Sequence, residues 1–196
     1  MPPPKRNRNP RGAGSKLRED LIEAASHLLE TLDGQESLSM RAVARAVGIA
    51  PQSIYLHFAD RRELLTAVYE VRFAEFGAVL TAVPDGDART RLREICRAYC
   101  AYGLDHPGHY RVLFATAGTP GWEPTDAQLP GLPVFRHLAD AVAATGSADP
   151  TATATCLWAA LHGLVMLRQD RPSFPWPDLD VLLDTLVTAH LAAAGA

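Results

Sequence analysis

The sequence predicts an all-α fold. Apolar residues recur at helical spacing along most of the 196 residues, and no alternating stretch is long enough for a strand. Helix-starting and helix-stopping residues divide the chain into about nine helices, with no internal repeat. The first three helices are short and form an N-terminal helix-turn-helix domain, and the rest form a larger C-terminal helical domain.

Residues 1–14 are Pro, Gly, Asn, Arg and Lys with almost nothing apolar, and read as a disordered basic arm. From Ser15, the residues Leu17, Leu21, Ala25, Leu28 and Leu32 mark one helical face, with Glu19, Asp20, Glu23 and Glu30 opposite. Asp33-Gly34 signals its end. Ser39 is a natural N-cap for a second helix, because its hydroxyl accepts from a first-turn N–H, and Gly48 supplies the left-handed stop. Pro51 then stands at the first position of a third helix running to about His57. Asp60 and Glu63 carry a D-x-x-E start for a long helix reaching Val83.

Beyond the Pro84–Asp87 break, helices are expected from Ala88 to Leu104, Pro107 to Phe114, Pro133 to Thr145, Asp149 to about Arg168, and Asp178 to Ala194. The Gly- and Pro-rich stretch from Gly118 to Pro133 reads as an irregular loop. The expected organisation is an arm over 1–14, a helix-turn-helix domain over 15–62 and a second domain over 63–196.

Composition excludes several classes. With 47% apolar residues and a net charge of −3, the chain has too much core material and too little charge for a mainly disordered protein. No apolar run approaches the roughly 18 residues of a membrane helix, and the basic start lacks a signal peptide's apolar stretch. Three cysteines without CxxC spacing form no disulfide framework. The expected setting is cytoplasmic, at the nucleoid, with no membrane partner.

Charge is unevenly distributed. Residues 1–62 hold ten basic and seven acidic side chains, and residues 63–196 hold nine and fifteen. Lys5, Arg6, Arg8, Arg11, Lys16 and Arg18 precede the first acid, which suggests a polyanion partner at that end or a solubilising tail. A short helix presenting Gln52, Ser53, Tyr55, Leu56 and His57, with Ile54 and Phe58 turned inward, suits entry into a DNA major groove.

The run from Ser39 to Leu65 resembles the signature of TetR-family transcriptional regulators: a capped helix of small apolar residues, Gly48-Ile49-Ala50, the Tyr55-Leu56-His57-Phe58 ending, and a basic residue before Leu64-Leu65. The resemblance covers Lys16 to Arg62 and implies a set of DNA contacts. Tyr55 and His57 match the pair that lies against the sugar-phosphate backbone. Ser39 matches a cap that reaches a phosphate, and Arg61 matches a phosphate-contacting residue at the start of the fourth helix, with Arg in place of the commoner Lys. Pro51, Gln52 and Ser53 match the groove-entering turn; Gln52 suits adenine N6/N7, and Arg41 matches a position that reaches guanine in some members.

The resemblance further implies that the second domain binds a small-molecule effector and forms a homodimer on a palindromic operator, most often as a repressor. Trp158, His162 and Gly163 resemble the Trp-x-x-x-His-Gly motif of the WHG C-terminal subtype, and His106-Pro107 with Tyr110-Arg111 resembles a helix start common in the family. Trp158, His162 and Met166 share one helical face and read either as pocket wall or as core. Tyr99, Tyr102, Phe114, Trp122 and Phe135 are the other candidate ligand contacts. Ala160 and Gly163, with the stripe Leu179, Leu182, Leu183, Leu186 and His190, point to dimerisation through the last two helices.

No phosphate loop, nucleophile elbow, paired-carboxylate pattern or metal-ligand set is present in the sequence, so neither enzymatic activity nor a cofactor is expected. Cys96 and Cys100 lie one turn apart, with apolar neighbours that favour inert thiols over a redox sensor. The competing readings are a helical small-molecule carrier or enzyme with a vestigial DNA-binding domain, and a ligand-independent DNA-binding protein.

Overall fold

The computed structural model describes residues 13–31, 38–114 and 129–193, all helical or connecting, with no strand among them. Eight α-helices and one 3₁₀ segment make up the described residues. Two compact units divide the described chain between Val68 and Tyr69, inside one long helix. The basic arm over 1–12, the Asp33-Gly34 turn, most of the Gly/Pro-rich loop and Trp122 lie outside the described residues.

The first unit opens with α1 (Ala13–Thr31), whose buried face is Leu21, Ile22, Ala25, Ser26 and Leu29. Leu17 and Leu28 are only half-buried, so the inward stripe lies slightly to one side of the expected one. Next comes α2 (Met40–Val47), capped at both ends by local chemistry. Ser39 Oγ accepts from the Ala42 N–H at 3.1 Å. At the other end Gly48 has φ +80°, and a Schellman pair forms: Ile49 N–H to the Ala44 carbonyl at 2.9 Å and Gly48 N–H to the Arg45 carbonyl at 3.1 Å. A side chain at this left-handed position would be strained, which fixes glycine here.

The third helix is shorter and tighter than the sequence predicts. It is a 3₁₀ segment over Ser53–Leu56, with Pro51 and Gln52 in the turn before it rather than in its first helical positions. Ser53 N–H returns to the Ala50 carbonyl, and both His57 and Phe58 N–H return to Ile54. Ile54 and Phe58 are fully buried, and the next helix start begins immediately after them. One turn is all that fits between.

That start is a capping box. Asp60 Oδ1 accepts from Glu63 N–H at 2.8 Å, and Glu63 Oε2 reaches back to Ala59 N–H at 2.6 Å. The helix is α3 (Arg61–Thr81), which carries the chain into the second unit.

There α4 (Ala88–Asp105), α5 (Pro107–Phe114), α6 (Leu132–Ala144), α7 (Pro150–Asp170) and α8 (Leu179–Ala193) surround a core that includes Phe76, Leu92, Ile95, Leu138, Leu157, Leu161, Val165 and Leu183. Asp149 caps α7 through the Ala152 N–H, with Pro150 at its start, and Gly146 follows α6 at φ +81°. At the crossing of α4 and α7, a Cβ on Gly103 would stand 2.6 Å from Val165 Cγ1, so only glycine fits without a shift. Arg93 with Asp184 and Arg97 with Asp180 pair α4 to α8.

One expectation needs correction. The helix α7 is long and apolar enough to cross a membrane by length and composition, because Thr, Gly and His interrupt its apolar run at little cost; 28% of its most apolar stretch is buried. On α8, Leu183 is fully buried, while Leu179 and Leu186 are half-buried and pack against the core of their own unit. What α7 leaves exposed is a face of Thr155, Cys156, Ala159 and Leu167, with half-buried Gly163 on the same side.

Candidate nucleic-acid interface and ligand region

In the first unit, burial separates the side chains the fold uses from those it does not. Val43, Ala44, Ile54 and Phe58 are buried, whereas Ser39, Arg41, Pro51, Gln52 and Tyr55 are exposed, Tyr55 by 54%. Ser53, His57 and Arg61 are half-buried. Leu56 is 85% exposed, the most exposed of the large apolar side chains. The sequence places it on the presented side of the short helix but assigns it no DNA contact. Its sequence signal is position: it falls between inward-facing Ile54 and Phe58, in neither of their registers.

Arg61 Nε donates to the Leu38 carbonyl at 2.9 Å, tying the start of α3 to the segment that caps α2. Arg61 and Ser39 are thereby brought to the same end of α2. Arg18 lies 4.8 Å above the Phe58 ring, so one of the expected arm cations is engaged in the fold. A four-residue 3₁₀ turn adds little macrodipole, and any attraction for phosphate at this turn comes from its side chains.

In the second unit, five of the expected ligand contacts converge. Tyr99 Oη lies 2.9 Å from Tyr110 Oη, which lies 2.8 Å from His162 Nδ1. The His162 tautomer sets the direction of the line: with Nδ1 bare, Tyr110 donates to His162 and accepts from Tyr99, and with Nδ1 protonated both bonds run the other way. Phe114 packs against His162 at 4.6 Å between ring centroids and against Trp158 at 6.5 Å, and Phe135 meets Trp158 edge-on at 6.1 Å. Tyr99 and Tyr102 are buried, Tyr102 against Phe76 at 4.9 Å. Met166 packs on the core without a ring contact to this group.

Burial sets the protonation states. Desolvation pushes the Tyr99 and Tyr110 hydroxyls above the usual tyrosine range and holds His162 below its ordinary value. Both phenols keep their protons and His162 is neutral at pH 7. Burial likewise raises the Cys96 thiol and pushes Cys100 up to about 12, so neither supplies a thiolate near neutrality. Among the described residues no group of three or more His, Cys, Asp or Glu side chains forms a metal-binding set.

A mainly apolar groove of about 380 Å³ runs between α3 and α6. Phe73, Gly77, Val134 and His137 line it, none of them an expected ligand contact. The sequence signal was small residues where helices approach: a Cβ on Gly131 would stand 2.8 Å from the Phe73 ring, and one on Gly77 would stand 3.4 Å from Val134. Phe73 also meets Phe114 edge-on at 6.1 Å, which joins the groove to the aromatic group.

Residues 21–68 match the family described as bacterial regulatory proteins, tetR family, and residues 92–192 match tetracyclin repressor-like, C-terminal domain. The nucleoid occlusion factor SlmA of Salmonella typhi is 27% identical over 100 residues, 49% of this chain and 50% of that protein. The chain therefore spans about half the length of the curated relatives it matches. A solved protein of unknown function from Rhodococcus sp. RHA1 is similar over 96% of this chain and 100% of its own, with 25% identity and a TM-score of 0.76. Two further structures share the fold. FadR from Bacillus subtilis, in complex with stearoyl-CoA, has a TM-score of 0.72 at 12% identity over 89% of this chain and 97% of its own. BioQ with its double-stranded DNA operator has a TM-score of 0.59 at 24% identity over 89% and 98%.

Proposed function

The chain belongs to the tetR family of bacterial regulatory proteins, and from that premise we propose that it is a ligand-responsive transcriptional repressor. It binds a palindromic operator as a homodimer and leaves it when a small molecule occupies the second unit. The observation that carries this reading is the turn from Pro51 to Leu56. Buried Ile54 within it and Phe58 just after it anchor the turn, while Pro51, Gln52, Tyr55 and Leu56 extend from the surface with no part in the core. Side chains on such a turn are suited to base edges and sugar-phosphate.

In this reading Gln52 and Arg41 contact bases, while Ser39, Ser53, Tyr55, His57 and Arg61 contact the backbone, with Pro51 at the groove edge. A homodimer supplies the second half-site. Its support is the exposed small-residue face of α7, where Gly163 leaves open space at its Cβ position. Close approach of helices at small residues suits a bundle built from two protomers.

Effector binding involves the second unit, where Phe114, Phe135, Trp158, His162 and Met166 are partly accessible and Tyr99 and Tyr102 support them from the core. Structures of the same fold with an operator duplex and with an acyl-CoA support a reading that combines DNA and effector. Because α3 belongs to both units, a ligand that shifts its later turns acts on Arg61 and the α2 cap.

The test is fluorescence anisotropy with DNA from upstream of the protein's own gene, repeated across a metabolite library. Salt-dependent, competitor-resistant binding that a specific metabolite reverses supports the reading. Binding no stronger than to random DNA contradicts it.

A further inference from the structure

Leu56 is the side chain of the DNA-reading turn that the fold does not use and that no polar contact explains. At 3.0 residues per turn, the 3₁₀ segment sends Ile54, Tyr55 and Leu56 in three directions about 120° apart. Ile54 takes the core side and is fully buried, which leaves Tyr55 and Leu56 on the two outward sides. Leu56 shares its side with Ser53, one turn earlier. The backbone beneath it is fixed: His57 and Phe58 N–H donate to the Ile54 carbonyl at 2.9 and 3.0 Å, and Phe58 is fully buried. A single exposed leucine on an open surface needs no explanation. This one stands on the turn whose other exposed members, Gln52 and Tyr55, face the duplex in the function proposed above.

We propose that Leu56 packs on the C5-methyl group of a thymine in the major groove and so specifies one A·T pair, in one orientation, in each half-site. The chemistry of a duplex leaves one good partner for it. Base edges in the major groove present hydrogen-bonding groups and a single apolar substituent, the thymine methyl, and the minor groove presents no such group. Deoxyribose carbons lie between phosphates, and a leucine set against them strips water from charged oxygens at a cost. On the thymine methyl it removes two apolar surfaces from water, a gain of about fourfold in affinity per methyl. The contact rests on the DNA-binding function above and adds a thymine-specifying residue to it. Gln52 and Arg41 read by hydrogen bonds, to which a missing methyl makes no difference.

The test uses the full chain and a duplex that it selects from a random-sequence library. Each thymine of that duplex is replaced in turn by deoxyuridine, which removes the methyl and keeps every hydrogen bond of the pair. One thymine per half-site should lose about fourfold in affinity, and about 15-fold when both half-sites carry the change. Leu56→Ala should melt with the wild type, because the side chain is 85% exposed. It should bind the thymine duplex about tenfold or more weakly and respond by less than about twofold to the same uracil replacement. That comparison assigns the effect to Leu56 rather than to Pro51 or Ala50 beside the turn. Leu56→Met keeps an apolar side chain of similar volume and should retain the loss on uracil.

A uracil penalty undiminished in Leu56→Ala would overturn the proposal. So would an equal loss on the selected duplex and on random DNA in that variant, which would place Leu56 against sugars. A selected duplex indifferent to uracil at every position overturns the contact alone. A library that yields no enriched sequence contradicts the DNA-reading function itself, and the contact with it.

Discussion

Arg61 Nε donates to the main-chain carbonyl of Leu38 at 2.9 Å, across 23 residues of sequence. The first residue of α3 is thus fastened to the strand of chain that turns into Ser39 and α2. A guanidinium suits this position because its five N–H donors can serve more than one partner at once. Replacing Arg61 with Ala should cost stability of about 1.5–3 kcal/mol, the range for a hydrogen bond to a charged group, and lower the slope of log affinity against log salt by about one. Arg61→Lys should keep the salt slope while losing part of the stability. Denaturant melts and anisotropy titrations at several salt concentrations read both; an unchanged slope in the Ala variant would remove Arg61 from the interface.

Ser39 combines a structural and a proposed functional role, and the two separate by substitution. Ser39→Ala should lose roughly 1 kcal/mol, because the Ala42 N–H loses its acceptor. Ser39→Asp keeps a good cap but brings a negative charge to the α2 end. Melting temperature near the wild-type value with DNA binding strongly reduced is the expected pair of results. Full DNA affinity in the Asp variant would show that no phosphate approaches this residue.

Gly163 tests the assembly. A Cβ there meets nothing within 4 Å in the protomer, so Gly163→Leu should fold normally and add only the helix propensity of leucine. On a face used for close helix approach, the same change should shift the protein from dimer to monomer by sedimentation velocity and weaken DNA binding with it. A dimer as tight as wild type would mean that another face is used.

His162 gives the second unit a pH dependence with a definite sign. Burial holds its folded pKa below the unfolded value, so between the two the unfolded chain binds more protons. Its contribution to stability is complete above the unfolded value near 6.5 and is lost as pH falls below it. Protonation would also make Nδ1 a donor to Tyr110 and Tyr110 in turn a donor to Tyr99. The melting temperature should fall from pH 7 to pH 5, and His162→Gln should flatten that fall. An equal fall in the variant would place the titrating group elsewhere.

Most of the helical layout was legible because its signals are local. Ser39 with Gly48, Asp60 with Glu63 and Asp149 with Pro150 act within a few residues of themselves, and each does in the structure what its type and spacing predict. The contraction of the third helix was not legible, since it depends on how soon Phe58 must be buried before α3 begins. The groove between α3 and α6 escaped for a related reason. It depends on Gly131 meeting Phe73 and Gly77 meeting Val134, approaches between distant residues that no periodicity encodes. The convergence of Phe114, Phe135, Trp158 and His162 was anticipated as a set of aromatics. The hydrogen-bonded line through Tyr110 that organises them was not.

The central claim is that the exposed turn after α2 reads DNA. Its most direct test is the affinity of a Gln52→Ala, Tyr55→Ala double variant for the upstream fragment. Both side chains are exposed, so the melting temperature should hold. Specific affinity should drop by roughly 100-fold toward the level of random DNA, as loss of two interface contacts predicts. A folded double variant that binds as tightly as wild type would contradict the account.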